Sequence, residues 1–148
     1  MTLPLTVLDD PAVESYTREL LTRIVEAVTR QMGSALEAIV LVGGFGRGEG
    51  SVTRLDGGRF RVVNDFDLEL IYREPWGGYL SKIWVHVAHR RALLRLAERL
   101  AREFDMKQVD LSLRGASTLQ VAIPRLADYD MRHGHRLLWG AADPCERM

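Results

Sequence analysis

The chain has a single cysteine, Cys145, which excludes a disulfide within the chain and suits a reducing compartment. Lysine is almost as scarce: Lys82 and Lys107 are the only two, and the other cations are arginines. Net charge is absent, with 20 basic residues against 20 acidic ones. No global field therefore draws the protein to nucleic acid or to an acidic membrane, although a local patch stays open. No apolar run approaches the ~20 residues that span a bilayer. The start, Met1-Thr2-Leu3-Pro4-Leu5, lacks the basic residues and apolar run of a secretion signal. A cytoplasmic location with no membrane partner is the expectation.

A length of 148 residues with 47% hydrophobic residues predicts one domain, 1–148, with its own core. Asp10-Pro11 is a helix start, and Val13, Tyr16, Leu20, Ile24 and Val28 recur at helical spacing. That predicts a helix over about 10–32, stopped by Gly33. Ala38–Val42 is a continuous apolar run, the pattern of a buried central strand. Asp56-Gly57-Gly58 lies between Val52 and Phe60, where it predicts a hairpin. Asp65–Tyr72 alternates: Asp65, Asp67 and Glu69 share one face, and Phe66, Leu68 and Leu70 the other.

After Pro75-Trp76-Gly77-Gly78, a long helix is predicted over 79–103, buried through Ile83, Val87, Leu93, Leu94, Leu96 and Leu100. His86 and His89 on it have the spacing of metal ligands but no evident third ligand, so a surface or boundary role is preferred. A strand over 106–114 follows, with Gln108, Asp110, Ser112 and Arg114 on its polar face. The stretch 117–123 is ambiguous. Pro124 opens a short helix to about Arg132, Arg136–Gly140 is a last strand or turn, and the final eight residues read as tail. His133 and His135 flank Gly134 and read as loop chemistry or a minor contact to an acceptor.

The chemistry is concentrated in 38–72, where an apolar strand runs into Gly43-Gly44-Phe45-Gly46-Arg47-Gly48-Glu49-Gly50-Ser51 and a second strand carries alternating acids. A dinucleotide fingerprint, G-x-G-x-x-G, fails: the register from Gly44 ends on Glu49, and that from Gly46 on Ser51. A Walker-type phosphate loop needs a lysine, and none lies within thirty residues of this turn. Taken alone, Asp65, Asp67 and Glu69 are the solvated face of a sheet.

Joined to the glycines, they resemble something more specific. Val42-Gly43-Gly44 followed by Asp65-Phe66-Asp67-Leu68 is similar to the signature of the DNA polymerase β-like nucleotidyltransferase superfamily. Arg47-Gly48-Glu49 resembles a run common in its small members. Asp110, in Val109-Asp110-Leu111, matches the family's third carboxylate. The resemblance covers roughly 35–140, the expected catalytic core. It implies an α+β fold, a nucleotidyltransferase-like mixed or antiparallel sheet with helices packed on one face. It implies Asp65, Asp67 and Asp110 as catalytic residues and Mg²⁺ ligands, with Gly43, Gly44, Arg47 and Ser51 around a nucleoside triphosphate. ATP is the expected donor, its AMP passing to a hydroxyl of a small molecule, protein or RNA end. Carboxylates suit Mg²⁺, a hard ion that prefers oxygen. Arg47 is equally readable as a salt-bridge partner of Glu49, and Glu69 keeps its solvated reading. Three departures stand out: the Gly44–Asp65 gap is long, Gly44 replaces a serine found in many members, and no helical domain follows. The last suggests either that the chain is a fragment of a longer protein or that a protein partner or homo-oligomer completes the pocket, with an alternative role as a binding module or antitoxin-type subunit acting through a helical partner.

Overall fold

The computed structural model of the chain describes residues 4–76, 79–120 and 126–147. Helix α1 spans Pro11–Met32; the Asp10 carboxylate accepts the Ala12 N–H at its start, and Gly33 ends it at φ 56°. Strand β1, Leu36–Val42, leads into a short helix α2, Gly43–Arg47. That helix stops at Gly48, whose φ of 83° closes the turn. Strands β2 (Val52–Arg54) and β3 (Phe60–Val62) form the predicted hairpin around Asp56–Gly58, as a separate two-stranded sheet.

Strand β4, Phe66–Tyr72, precedes α3, Tyr79–Glu103, and β5, Val109–Gly115. A 3-10 turn at Ala116–Gln120 resolves part of the ambiguous stretch, and 121–125, with Pro124, lie outside the described residues. Helix α4, Leu126–His133, and strand β6, Arg136–Gly140, follow.

The main sheet has the order β5-β4-β1-β6. β1 pairs antiparallel with both β4 and β6, while β4 and β5, linked through α3, run parallel. The fold is α+β with a mixed sheet, as expected. The alternation in β4 sends Phe66, Leu68, Leu70 and Tyr72 to a face covered by the two long helices, where Ile24, Val28, Leu93 and Leu96 meet them. Burying each such side chain contributes about 1.5–3 kcal/mol. The opposite face carries Ala38, Val40, Val42 and Ile71, packed against Leu119, Met131 and Cys145. The short helix α4 thus helps cover a second face, and Asp67, Glu69 and Asp110 project from that side.

Two expectations for α3 change. Ile83 and Leu94 are exposed, while Leu93, Leu96 and Leu100 are buried. The seam follows three- and four-residue spacing from Leu93, and Leu94 is rotated about 100° from it. Among the described residues of α3, fully buried side chains begin at Leu93, with Val85 packed partly buried against the same core. His86 and His89 pack around Tyr72, with ring centroids 5.9 and 6.0 Å away and a Tyr72 hydroxyl–His86 Nδ1 contact of 3.3 Å. The predicted tail is also ordered: Pro144–Arg147 forms a 3-10 turn and Cys145 is buried. Among the described residues no helix is long and apolar enough to cross a membrane.

Candidate functional site: a carboxylate face beside a glycine turn

Register explains why the glycine turn and the acids meet. Asp67 lies opposite Val42, the residue before Gly43, in the β1–β4 ladder. The contact is close: a Cβ on Gly43 would stand 2.2 Å from Asp67 Oδ2, and Gly43 has a φ of +64°. Gly43 is therefore required both by its backbone and by the carboxylate packed against it. Gly44 differs. A Cβ there would find its nearest neighbour, the Glu49 carbonyl oxygen, at 3.8 Å, and its φ is ordinary. The fold gives no steric reason for glycine at 44.

On the other side, Asp110 is the register partner of Asp67 in the parallel β4–β5 ladder. Adjacent strands lie about 4.8 Å apart and register partners face the same way, so both carboxylates rise from one face. Asp65 enters just before β4, and its Oδ1 is buried without a hydrogen-bond partner. A buried acceptor left unsatisfied costs about 1–3 kcal/mol, which makes the atom a natural place for a bound cation or donor. The three carboxylates are neighbours on the sheet, but their oxygens do not draw into a single cluster within 4.8 Å.

The surrounding side chains hold the turn. Asn64 Oδ1 accepts the Ser51 N–H at 3.1 Å, tying the turn's exit to the entry of β4. Arg47 Nε donates to Glu49 Oε2 at 2.9 Å, so the salt-bridge reading of this pair is realised. The Arg47 stem lies over Gly134, where a Cβ would stand 2.3 Å from its Cγ. Arg136 reaches from β6 to donate to the Gly46 carbonyl at 2.9 Å and also to the Pro4 carbonyl. Partial burial, with Arg18 nearby, lowers its pKa against the pull of Glu14.

Glu69 overturns its sequence reading. It is buried at 7% exposure rather than solvated. Arg114 on β5 bridges it to Asp128 on α4, with Nε 3.5 Å from Glu69 and Nη1 2.5 Å from Asp128. Burial raises the Glu69 pKa; Arg114 opposes this, and Asp110 and Asp128 add to it. The alternation of β5 already put Arg114 on the face of Asp110; the partner it would find was not legible. A groove of about 680 Å³ runs along this edge, lined by Asp110, Ser112, Arg114, Glu69 and Asp128 among others. A larger cavity, about 830 Å³, lies at the other end of the strands against Ala38, Ile71 and Trp139, and none of the site carboxylates lines it. Its size is no guide to the chemistry, since it offers only Glu37 and Arg73 as charged groups.

No protein-family model matches the chain, and no curated protein does. Solved structures with a similar chain path exist at low identity. A mutant of the toxin–antitoxin MntA-HpeT is 14% identical over 86% of this chain and 77% of its own, with a TM-score of 0.44. A second MntA-HpeT mutant is 13% identical over 85% and 77%, with a TM-score of 0.46. A toxin–antitoxin with AMP-PNP is 16% identical over 84% and 77%, with a TM-score of 0.44. What the site can do is taken from its own residues.

Proposed function

We propose that the protein is a Mg²⁺-dependent nucleotidyltransferase that moves a nucleoside monophosphate, AMP from ATP, to a hydroxyl acceptor and releases pyrophosphate. The observation that carries this reading is the register: Asp67 is paired with Asp110 on one side, and lies opposite Val42 with its carboxylate against Gly43 on the other. A ligand bound at the glycine turn would thus sit beside acids from two strands.

The donor set fits Mg²⁺, being carboxylate oxygen throughout, and the orphaned Asp65 Oδ1 is an acceptor awaiting a cation. Asp65 and Asp67 would hold it, with Asp110 completing the set. When bound, Mg²⁺ would neutralise charge at the α-phosphate and on the departing pyrophosphate. The remaining work belongs to the chain. First-turn N–H groups of α2 have no partner within the helix and can donate to phosphate oxygens. Gly43 and Gly44 let that backbone come close, and the lack of any steric demand for glycine at 44 fits a close approach to phosphate. Arg47 and Ser51 flank the turn; Arg47 would trade part of its Glu49 pairing for phosphate. The acceptor oxygen attacks the α-phosphorus, the bond to the bridging oxygen breaks, and the acceptor proton passes to the carboxylate of Asp110. Asp110 is exposed and lines the groove on β5, from which an acceptor can approach.

The test is incubation with α-labelled ATP, Mg²⁺ and a cell extract. Label should pass to an acceptor with the native chain and not with an Asp65→Asn, Asp67→Asn variant that still folds. Absence of transfer with every nucleotide by a folded native chain would refute the proposal.

One observation favours a second reading, in which the domain acts as a binding subunit. Leu80 and Trp84, four apart at the start of α3, are exposed at 70% and 71%, and Trp76, before the helix, is fully exposed. Apolar surface of that kind suits a protein partner. A stoichiometric partner in copurification, with full function in the same double aspartate variant, would favour binding over catalysis.

A further inference from the structure

The C-terminal segment gathers three metal-ligating side chains away from the carboxylate face just described. His135 stands immediately before β6, and Asp143 and Cys145 follow after the chain reverses beyond Gly140. One ligand atom from each, an imidazole nitrogen, a carboxylate oxygen and the thiol sulfur, lies within 4.8 Å of the others, the one such trio among the described residues. His135 Nε2 is 2.8 Å from Asp143 Oδ2. The Cys145 N–H donates to Asp143 Oδ1 at 2.9 Å, which fixes the carboxylate and leaves Oδ2 facing the other two groups. Cys145 is 9% exposed, in the apolar cluster with Val40, Val42 and Met131.

We propose that His135, Asp143 and Cys145 form a binding site for a thiophilic divalent cation, Zn²⁺ in a cell, that staples the C-terminal segment to the start of β6. The donor set decides the class of metal. Nitrogen, oxygen and sulfur together suit Zn²⁺ and not Mg²⁺, which takes oxygen. Three protein ligands leave a fourth tetrahedral position for water. The carboxylate–N–H bond at Cys145 is the kind of outer contact that orients a metal ligand. On binding, the thiol loses its proton to solvent, sulfur becoming the thiolate ligand, and a neutral imidazole binds through Nε2 with its proton on Nδ1. Burial first, then the neighbouring Asp143, push the Cys145 thiol up to about 12.

Cys145 is the only cysteine in the chain, so any thiolate-to-metal charge-transfer band reports this site alone. The experiment titrates the reduced, full-length protein with Co²⁺, followed by displacement with Zn²⁺. One equivalent of Co²⁺ should produce a near-ultraviolet thiolate band and tetrahedral visible bands, and Zn²⁺ should remove both. Cys145→Ser should abolish the thiolate band, and Asp143→Asn and His135→Gln should weaken binding at least tenfold, with circular dichroism confirming that each is folded. Zn²⁺ should also raise the Tm of the native chain. Absence of the band in the native chain, or its survival at full affinity in His135→Gln, would overturn the proposal. If the substituted chains do not fold, the band and its stoichiometry in the native chain still decide. The carboxylate face can give no thiolate band, so loss of this site and failure of the nucleotidyl transfer are separate results.

Discussion

Replacing Gly43 by alanine tests the joint between the glycine turn and the carboxylate face. The substitution puts a methyl on a backbone with φ +64°, where an L side chain costs about 1–2 kcal/mol. Its Cβ would also stand 2.2 Å from Asp67 Oδ2, and ordinary contact begins at 3.4 Å, so the carboxylate must retreat by about 1.2 Å. The carboxylate is the far end of a rotatable side chain, so it can move. It cannot move that far and still address the same ligand, and a misplacement of about 1 Å costs on the order of 100-fold in rate. Gly43→Ala should thus lose about 1–2 kcal/mol in urea denaturation and roughly 100-fold in Mg²⁺-dependent nucleotidyl transfer. Gly44→Ala is the control. It meets nothing closer than 3.8 Å and should leave stability within about 0.5 kcal/mol, while weakening triphosphate binding if phosphates approach the backbone there. Calorimetric titration with a triphosphate that cannot be cleaved between its α and β positions separates binding from turnover. A Gly43→Ala protein that is destabilised as expected but binds and transfers like the native chain would refute the placement of Asp67 in the site.

Other outcomes follow from the same geometry. Mg²⁺ with a non-cleavable triphosphate at about 100 times its Kd should stabilise the native chain by about 2.7 kcal/mol; calorimetric melting should show the increment vanish in Asp65→Asn, Asp67→Asn. Arg114→Ala strips the cation from both Glu69 and Asp128 and should cost about 3 kcal/mol near neutral pH, the loss shrinking in acid as the two carboxyls protonate; an equal loss at both pH values would refute the pairing. The native state holds the Glu69 proton more tightly than the unfolded chain does. Its contribution is full below the ordinary carboxylate range, about 4.3, and is lost as pH rises through the raised native value. Denaturation curves across that window should fall less steeply for Glu69→Gln than for the native chain, and parallel curves would count against it.

The local signals were strong where one element decided its own form. Asp10-Pro11 and Gly33 bound α1 because capping is settled within a few residues, and Asp56-Gly57-Gly58 made its hairpin by the same logic. The alternation in β4 separated Asp67 from Leu68 because a strand's period is two. The side of the sheet on which each stripe would be covered was less legible. Glu69 shares its face with Asp67, yet α4 and Arg114 come over it and make it a buried ion-pair partner. Ile83 and Leu94 fit an apolar stripe, yet both are exposed, Leu94 because it is turned about 100° from the buried seam of Leu93, Leu96 and Leu100.

By itself, then, the sequence determined the elements, their order, and the pairing of a glycine turn with alternating acids, since dihedral preferences and side-chain periods act over a few residues. It also named Asp110 as the distant acid, through a resemblance to a known family. Only the tertiary structure decided that Asp67 and Asp110 share a register across parallel strands, and that Asp67 lies against Gly43. It alone folded the apparent tail back so that Asp143 and Cys145 meet His135. The physical reason is the same in each case: strand register and chain reversal are set by burying surfaces far apart in the chain, and no short window of residues contains both sides of such a contact.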